Sequence, residues 1–473
     1  MSKTKPISSR PVTEDKYRNE KGILQIVQDG LCHHCGACIG FCPVGTFGLD
    51  ENAYPIQVDK CIDCNICVRD CSGIEVDYDG IGTRLFGENY QYGSFTGWTE
   101  ETYIGHAKDN EIRRNGASGG VVTQLLAHLI DTKQIAGAVV VIEDPDEPAR
   151  GKGIIARNRD DLLKSQQSRY TTAPALAALQ EIQKEDGPFA LIGLPCQIHA
   201  LRKHQMFSSS WKHRVPIVIG LFCHFNLPMS AIKETARTLG SKREQLLHAD
   251  FRNTDPRGWP FNTWEMTFSG GTVWRSPHGP SQTFNVVSRV TKLGRCLQCL
   301  DATAEFADLA IGDPWIRDEK GNWKYDTPEG WSSIMVRTNK GGEIVQDAVS
   351  AGKLELIPIP LKEIQIGQHL MMTEKKLQSA FRIQVRKLLR IATPHYSMRL
   401  PQASYKIIKT EIAFWFLRTL PFSRSVSRML MRLGFSKFGV WALARRKQRR
   451  TRKIAAGKVR IIDPDFGVSE KRT

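Results

Sequence analysis

Eight cysteines fall in two runs of identical spacing, Cys32-x2-Cys35-x2-Cys38-x3-Cys42 and Cys61-x2-Cys64-x2-Cys67-x3-Cys71. No other feature restricts the fold as tightly, because thiols crowded in this way act either as a disulfide framework or as metal ligands. Disulfide frameworks belong mostly to small secreted domains. This chain has 473 residues, enough for two or three domains. Its opening stretch, MSKTKPISSRPVTEDKYRNEKG, is polar and basic and has no apolar h-region of a secretory leader. No apolar run is long enough to span a bilayer. A soluble, cytoplasmic protein that ligates metal is therefore expected.

Zinc also takes four thiolates, but zinc ribbons use two CxxC pairs, not a triplet plus a distant fourth repeated in tandem. The spacing is that of bacterial ferredoxins carrying two 4Fe-4S clusters. Three thiolates on a tight loop reach three irons of one cube, and the fourth, carried off on a short helix, reaches the other cube. Cys32, Cys35, Cys38 and Cys71 are thus expected to hold one cluster, and Cys61, Cys64, Cys67 and Cys42 the other. Gly36 and Gly40 suit a backbone wrapped closely round sulfurs. Pro43 follows the first run, whereas Ser72 stands in that place after the second, which alters a turn and removes no ligand. Two adjacent cubes move an electron along where one would only store it.

Beyond residue 85 the pattern changes. Residues 86–114 read as a linker rich in Gly, Tyr and Glu. Val121, Val122, Leu125, Leu126, Leu129 and Ile130 recur at helical spacing, and residues 136–142 read as a strand. The stretch NGASGG, Asn115 to Gly120, then sits at a helix N-terminus, where free amides and the helix dipole can hold a phosphate. A glycine-rich cap of this kind is equally a plain turn. Further on, residues 171–186, 195–204 and 228–240 read as helices, and 188–194 and 215–223 as strands. Residues 261–276 read as a hairpin with a Ser-Gly-Gly turn. Strands alternating with helices imply an α/β domain with a parallel sheet, whose ligands collect at the carboxyl ends of the strands. Cys196 and Cys223 fall at two such ends, and Cys296-x2-Cys299 follows the hairpin. On spacing alone, Cys196 and Cys223 are open to reading as buried small hydrophobes, and Cys296 with Cys299 as a zinc or redox dithiol. The four together could also hold a third 4Fe-4S cluster.

Several ordered motifs, NGASGGVVTQLL, SQQSRYTTA, LIGLPCQIHALRK, GLFCH and RCLQCLD followed by ADLAIGDPW, resemble the coenzyme F-420 hydrogenase/dehydrogenase beta-subunit family over roughly residues 30–370. The resemblance implies FAD and 4Fe-4S clusters, and it favours the third cluster on Cys196, Cys223, Cys296 and Cys299. It points to Asn115, Ala117, Ser118, Gly119, Gly120 and Thr123 as flavin contacts, with Ser168, Arg169 and Tyr170 and the stretch Gly193 to Gln197, Gly193 and Pro195 included. Arg169 could pair with a pyrophosphate and Tyr170 stack on a ring; without the family, SRYTT reads equally as a helix cap. His199 and His224 lie near the same edge, as proton donors or, more plainly, as polar surface residues. The implied function is an oxidoreductase coupling hydride transfer at FAD, with coenzyme F-420 as its hydride partner, to one-electron transfer through the clusters. Alternatives are a ferredoxin-fed reductase of an organic substrate such as a chlorophyll-type tetrapyrrole, and a non-catalytic relay subunit. Ferredoxin or another redox subunit is the expected partner. No catalytic residue is singled out.

The formal net charge of +17 hides an asymmetry. Residues 375–473 carry 25 Lys and Arg against 4 Asp and Glu, while the rest of the chain carries 41 against 45. This end mixes basic residues with Leu, Phe, Trp and Met at helical spacing, as in helices that lie on an anionic membrane, dock on an acidic partner, or cap their own body. Nucleic acid is disfavoured, because the aromatic residues follow the apolar face rather than forming stacking platforms. The expected organisation is a polar segment over 1–29, a ferredoxin-like domain over 30–85, a parallel-sheet α/β flavin domain over 86–245, a β-rich addition over 246–370 and a basic helical tail over 371–473, an α+β chain when taken whole.

Overall fold

The computed structural model describes Tyr17 and residues 22–455, apart from 89, 91, 93, 94, 254–257, 260, 291, 319, 321, 326, 327, 406 and 413–423. Most of the segment expected over 1–29, and the tail at 413–423 and beyond 455, lie outside the described residues. The two cysteine runs fold alike. Each loop of three cysteines leads into a four-residue helix, α1 (Ala37–Gly40) and, after the hairpin of β1 (Phe47–Leu49) and β2 (Pro55–Gln57), α2 (Ile66–Arg69). A short strand, β3 (Glu75–Val76), closes the segment.

The body is built on one eight-stranded sheet. In chain order it begins with β4 (Glu101–Ala107), then α3 (Val121–Asp131), β5 (Gly137–Glu143), β6 (Gly151–Ala156) and β7 (Phe189–Gly193). It continues through α4 (Pro195–Phe207), β8 (Ile217–Leu221) and α5 (Met229–Leu239). A three-stranded antiparallel sheet follows, of β9 (Leu246–Asn253), β10 (Thr263–Phe268) and β11 (Val273–Arg275), and then α6 (Pro280–Val290). The chain then returns to the large sheet with β12 (Leu309–Gly312), β13 (Ser332–Val336) and β14 (Leu354–Pro358). The strand order is β14-β4-β13-β12-β8-β7-β5-β6. The four central strands β12, β8, β7 and β5 are parallel and both wings are antiparallel. Alternate residues feed two cores. Val139, Leu191, Val218 and Ala310 face α4 and the cysteine-rich segment. Val140, Ile192, Ile219 and Ile311 face α3 and the helix Asn339–Ser350. Strands covered on both faces carry near-continuous apolar runs, which is why 188–194 and 215–223 were readable as strands.

Three expectations need correction. The sheet is mixed rather than parallel, because β6 pairs antiparallel with β5, β13 with β12, and β4 with both β13 and β14. Residues 86–114 are not a linker throughout: β4 lies inside the sheet between β13 and β14, although ETYIGHA has neither a β-branched run nor clean alternation. Residues 171–186 form no α-helix. Thr171 bridges to Leu227, Pro174 blocks helical geometry before it, and only a 3-10 turn forms over Ala175–Gln180.

The end of the chain is partly core. After α7 (Leu361–Thr373), a π turn over Glu374–Gln378 leads into α8 (Ser379–Leu388). Ile364, Met372, Leu377, Ala380 and Ile383 on this run are buried. β15 (His395–Tyr396) then pairs in parallel with β3. Beyond it, α9 (Arg424–Phe435) packs on the three-stranded lobe. Met431 is buried there, Phe435 meets Trp274 edge-on, and Arg428 pairs with Glu234. α10 (Lys437–Ala455) follows. No helix among the described residues is long and apolar enough to cross a membrane.

Candidate redox site: three thiol sets and a cavity

The backbone of the cysteine loops is set by positive φ at matching offsets. His34 and Asp63 sit at φ 58° and 52°, two residues after Cys32 and Cys61. Gly36 and Asn65 sit at φ 85° and 58°, each capping the helix that follows. These turns point amides inward: His34 N–H donates to Cys32 Sγ at 3.3 Å, Asp63 N–H to Cys61 Sγ at 3.4 Å and Thr46 N–H to Cys42 Sγ at 3.2 Å. Such bonds favour thiolate over thiol. Gly36 is obligatory, since a Cβ there would lie 2.6 Å from Pro174 O and Ala177 N on the body.

The eight thiols of the two runs lie close together, with Cys38 and Cys67 neighbouring each other and Cys71 neighbouring both. Cys38 has Cys32, Cys35 and Cys71 among its electrostatic neighbours, and Cys67 has Cys64, Cys42 and Cys61. Burial pushes Cys35 and Cys67 up to about 12. At Cys42 burial is outweighed by the Thr46 hydroxyl and amide, which bring the thiol below its ordinary value. The four cysteines of the first set are half-buried, whereas Cys64 of the second is exposed.

The four remaining cysteines also meet. Cys196 has Cys35, Cys223, Cys296 and Cys299 as electrostatic neighbours, so this third set lies beside the first. Burial pushes Cys223 up to about 12 and raises Cys196 and Cys296. Two side chains stitch the sets together. Ser72, where the second proline is missing, donates to Cys196 O at 2.8 Å. The guanidinium of Arg295, fully buried, donates to Gly73 O at 2.7 Å and Ser72 O at 3.1 Å. Ser72 and Gly73 directly follow Cys71, and Arg295 directly precedes Cys296. Among the described residues no group of His, Cys, Asp or Glu is arranged to hold a single metal ion.

A cavity of about 810 Å³ opens at the carboxyl ends of β5, β7, β8 and β12, where a parallel sheet is expected to bind ligands. Gly120 to Thr123, the first turn of α3, face it, with Gly116, Ala117 and Ser118. Ser168, Arg169, Tyr170 and Gly193 line it as expected. Arg169 Nε is buried without a hydrogen-bond partner among the described residues, an orphaned donor that an anionic ligand would satisfy. Cys223 and His224 reach the wall, and His224 Nε2 lies 3.0 Å from Glu374.

Other residues take different places. Asn115, Gly119 and Pro195 do not line the cavity, nor does Cys196. Gly119 is wedged in the sheet, where a Cβ would come within 2.6 Å of Gly105 O and 2.9 Å of Ser332 N. His199 is not a surface residue: it is 2% exposed and bonds Asp301 at 2.9 Å. Arg252 escaped the sequence reading. Itself buried, it makes a bidentate pair with the half-buried Asp313 at 2.5 and 3.0 Å, and donates to Tyr170 Oη at 2.9 Å and Ala117 O at 2.6 Å, so one side chain fixes two stretches of the wall. Its partner lies in the quoted GDPW, but nothing local marks Arg252 itself. Trp315 and Trp323, 5.3 Å apart, form an aromatic wall, with the Arg317 guanidinium 3.6 Å over Trp323. Ile366, Leu370 and Met371 of α7 and Leu443 and Arg446 of α10 complete the lining.

Three family models match the chain. The 4Fe-4S dicluster domain matches residues 25–72. The N-terminal part of the beta subunit of coenzyme F420 hydrogenase/dehydrogenase matches 102–180, and its C-terminal part 187–362. Similar proteins include the coenzyme F420-dependent sulfite reductase of Methanocaldococcus jannaschii, 28% identical over 68% of this chain and 46% of that protein. The chain thus spans less than half of that relative. The coenzyme F420 hydrogenase beta subunits of Methanosarcina barkeri and Methanothermobacter thermautotrophicus are each 26% identical. They align over 58% and 63% of this chain and 88% and 99% of their own lengths. A chain of the F420-reducing [NiFe] hydrogenase complex from Methanosarcina barkeri superposes with a TM-score of 0.49 at 22% identity, covering 65% of this chain and 98% of that one.

Proposed function

Since the chain belongs to the coenzyme F420 hydrogenase/dehydrogenase beta-subunit family, we propose that it is an oxidoreductase exchanging hydride with coenzyme F-420 at a cavity-bound FAD and single electrons with a redox partner. Arg169 and the free amides of the first turn of α3 would hold the FAD pyrophosphate, and the Arg252–Asp313 pair would keep Tyr170 and the NGASGG loop in place. Cys32, Cys35, Cys38 and Cys71 would hold one cube, Cys42, Cys61, Cys64 and Cys67 a second, and Cys196, Cys223, Cys296 and Cys299 a third. When bound, FAD converts between hydride and single-electron chemistry, and 4Fe-4S cubes carry one electron each. The chain sets the distances and excludes water.

One observation carries the reading: the thiol sets are arranged in order from cavity to surface. Cys223 of the third set reaches the cavity wall, Cys196 neighbours Cys35 of the first, and Cys38 of the first neighbours Cys67 of the second. Beside the second set, Ile56, Val58, Ile62 and Cys64 are exposed, an apolar patch suited to a redox-subunit partner or ferredoxin. Protein purified without oxygen should contain FAD and about twelve irons, and reduced coenzyme F-420 should bleach its flavin. Cys64→Ala should spare that bleaching and block onward transfer to an added one-electron acceptor. A flavin indifferent to reduced coenzyme F-420 would overturn the reading. The aromatic and aliphatic lining of Trp315, Trp323, Ile366 and Leu370 favours a second reading, a ferredoxin-fed reductase of an apolar organic substrate. Bleaching by reduced ferredoxin alone would select it.

A further inference from the structure

The turn joining α7 to α8 carries Glu374, Lys375 and Lys376 in succession, and its backbone is a π turn in which Ser379 N–H bonds Glu374 O. π turns inside α-helices are frequent at functional sites. The core-facing stripe of this helical run is Met372, Lys375, Lys376, Ser379, Ala380 and Ile383, all buried. Two lysines therefore occupy positions where a helix normally places leucine. Burying an ammonium is costly unless a counter-charge meets it. Lys376 has one: it pairs with Glu305 and donates to Tyr92 Oη at 2.5 Å. Glu374 serves His224, Lys292 and Arg382.

Lys375 is different. It is 1% exposed, and among the described residues it makes no ion pair with a carboxylate. Its Nζ donates to Cys296 O at 3.4 Å, long for a charge-assisted bond, and lies 5.0 Å from the ring centroid of Phe225, two residues beyond Cys223. Cys299, Cys223, Cys296 and Cys196 are its electrostatic neighbours. Neutral thiols could not balance this cation. A cube on four thiolates could, because it is an anion and becomes more negative by one charge on reduction.

We propose that Lys375 is the counter-ion of the cube held by Cys196, Cys223, Cys296 and Cys299, and that its fixed charge raises the reduction potential of that cube above those of chains with a neutral residue here. This rests on the third cluster of the function proposed above. The step is the gain of one electron, supplied by dithionite in the test, with no proton taken up. A cation in a low-dielectric site attracts the reduced cube more strongly than the oxidised one, so the equilibrium shifts toward reduction. The same charge would help the site assemble, since the thiols must ionise to bind iron.

The test is a dithionite titration of the full chain followed by EPR, with the third cube identified as the signal lost in Cys299→Ser. Lys375→Gln keeps a polar N–H donor on a side chain one atom shorter and removes the charge. It should shift that signal's midpoint to more negative potential and leave the two ferredoxin cubes unmoved. Lys375→Arg should stay near the wild type. If Lys375→Gln builds no third cube while Lys375→Arg does, the cation is needed for assembly and the proposal stands. Failure of both would mean that the site needs the lysine's shape, which overturns it. An unmoved midpoint in a Lys375→Gln protein with three cubes overturns the role of Lys375 alone. A wild type with only two cubes overturns the third site, and this inference with it.

Discussion

Arg252 shows how much of the cavity hangs on one side chain. Its pair with Asp313 leaves the arginine 7% and the carboxylate 15% exposed, and removing one partner from a pair so largely withdrawn from water costs up to about 3–5 kcal/mol by leaving a charge uncompensated. Arg252→Met should therefore lower the unfolding free energy by about that much and release the NGASGG loop, with loss of the flavin proposed to bind there. The double variant Arg252→Met, Asp313→Asn should recover part of the stability but not the flavin, and a denaturant titration of the three proteins checks this. The ferredoxin cysteines were legible because their spacing is itself the chemistry. Gly119 was legible only as a motif position. Its neighbours are Gly105, on the strand just before it, and Ser332, more than two hundred residues later, and no local pattern says that this glycine serves the sheet and not the ligand. Lys375 looked like one more charge of a basic tail, because burial depends on what a helix packs against.

At the scale of elements, the two cysteine loops have the same backbone and different neighbours. α1 is pressed on the 3-10 turn of the body so closely that a Cβ on Gly40 would lie 1.9 Å from Leu176 O, while the loop before α2 leaves Cys64 exposed. The repeat was visible in sequence, and its asymmetry was not, because the asymmetry belongs to docking. β4 was missed for a related reason: its burial comes from flanking strands that appear more than two hundred residues later. Another junction is sensitive to pH. Glu143 at the end of β5 pairs with His248 of β9 and accepts the Ala149 and Ala249 amides, which clips the small sheet to the large one. The bond from Glu143 holds His248 above its ordinary value, and the same pairing, against the effect of burial, holds Glu143 below its own. The imidazolium contribution is fully present below the unfolded value of about 6.5 and is lost as pH rises through the raised one. The carboxylate contribution is present above about 4.3 and is lost as pH falls through the lowered one. The clip is thus strongest between the two unfolded values. His248→Gln should lower Tm at about pH 5.5 and have little effect near pH 8.5, with a cost under about 1 kcal/mol because the histidine is half exposed. Equal costs at both pH values would show that the clip is not ionic.

For the molecule as a whole, the end of the chain divides into a latch and a cap. Tyr396 donates to Gln298 O at 2.8 Å and accepts from Arg295 at 3.2 Å, while its strand pairs with β3 of the cysteine segment. A chain ending at Ile391 loses this latch and should shed iron, with the cysteine segment newly open to protease. A chain ending at Ser436 lacks only α10 and the residues after it, and should keep its iron; limited proteolysis with iron analysis separates the two. The latch also constrains how the protein can be made. β3 leaves the ribosome early, but its partner strand is encoded 320 residues later, an interval of about 15 to 60 s at ordinary elongation rates. Through that interval the eight cysteines of the first two sets are already synthesised and have no finished body to dock on, and the last cysteine of the third set, Cys299, is still to come for most of it. Iron delivery is therefore best timed after translation: a cell short of scaffold-borne clusters would accumulate full-length chains awaiting metal, and a stalled ribosome would leave a thiol-rich fragment for proteases to clear.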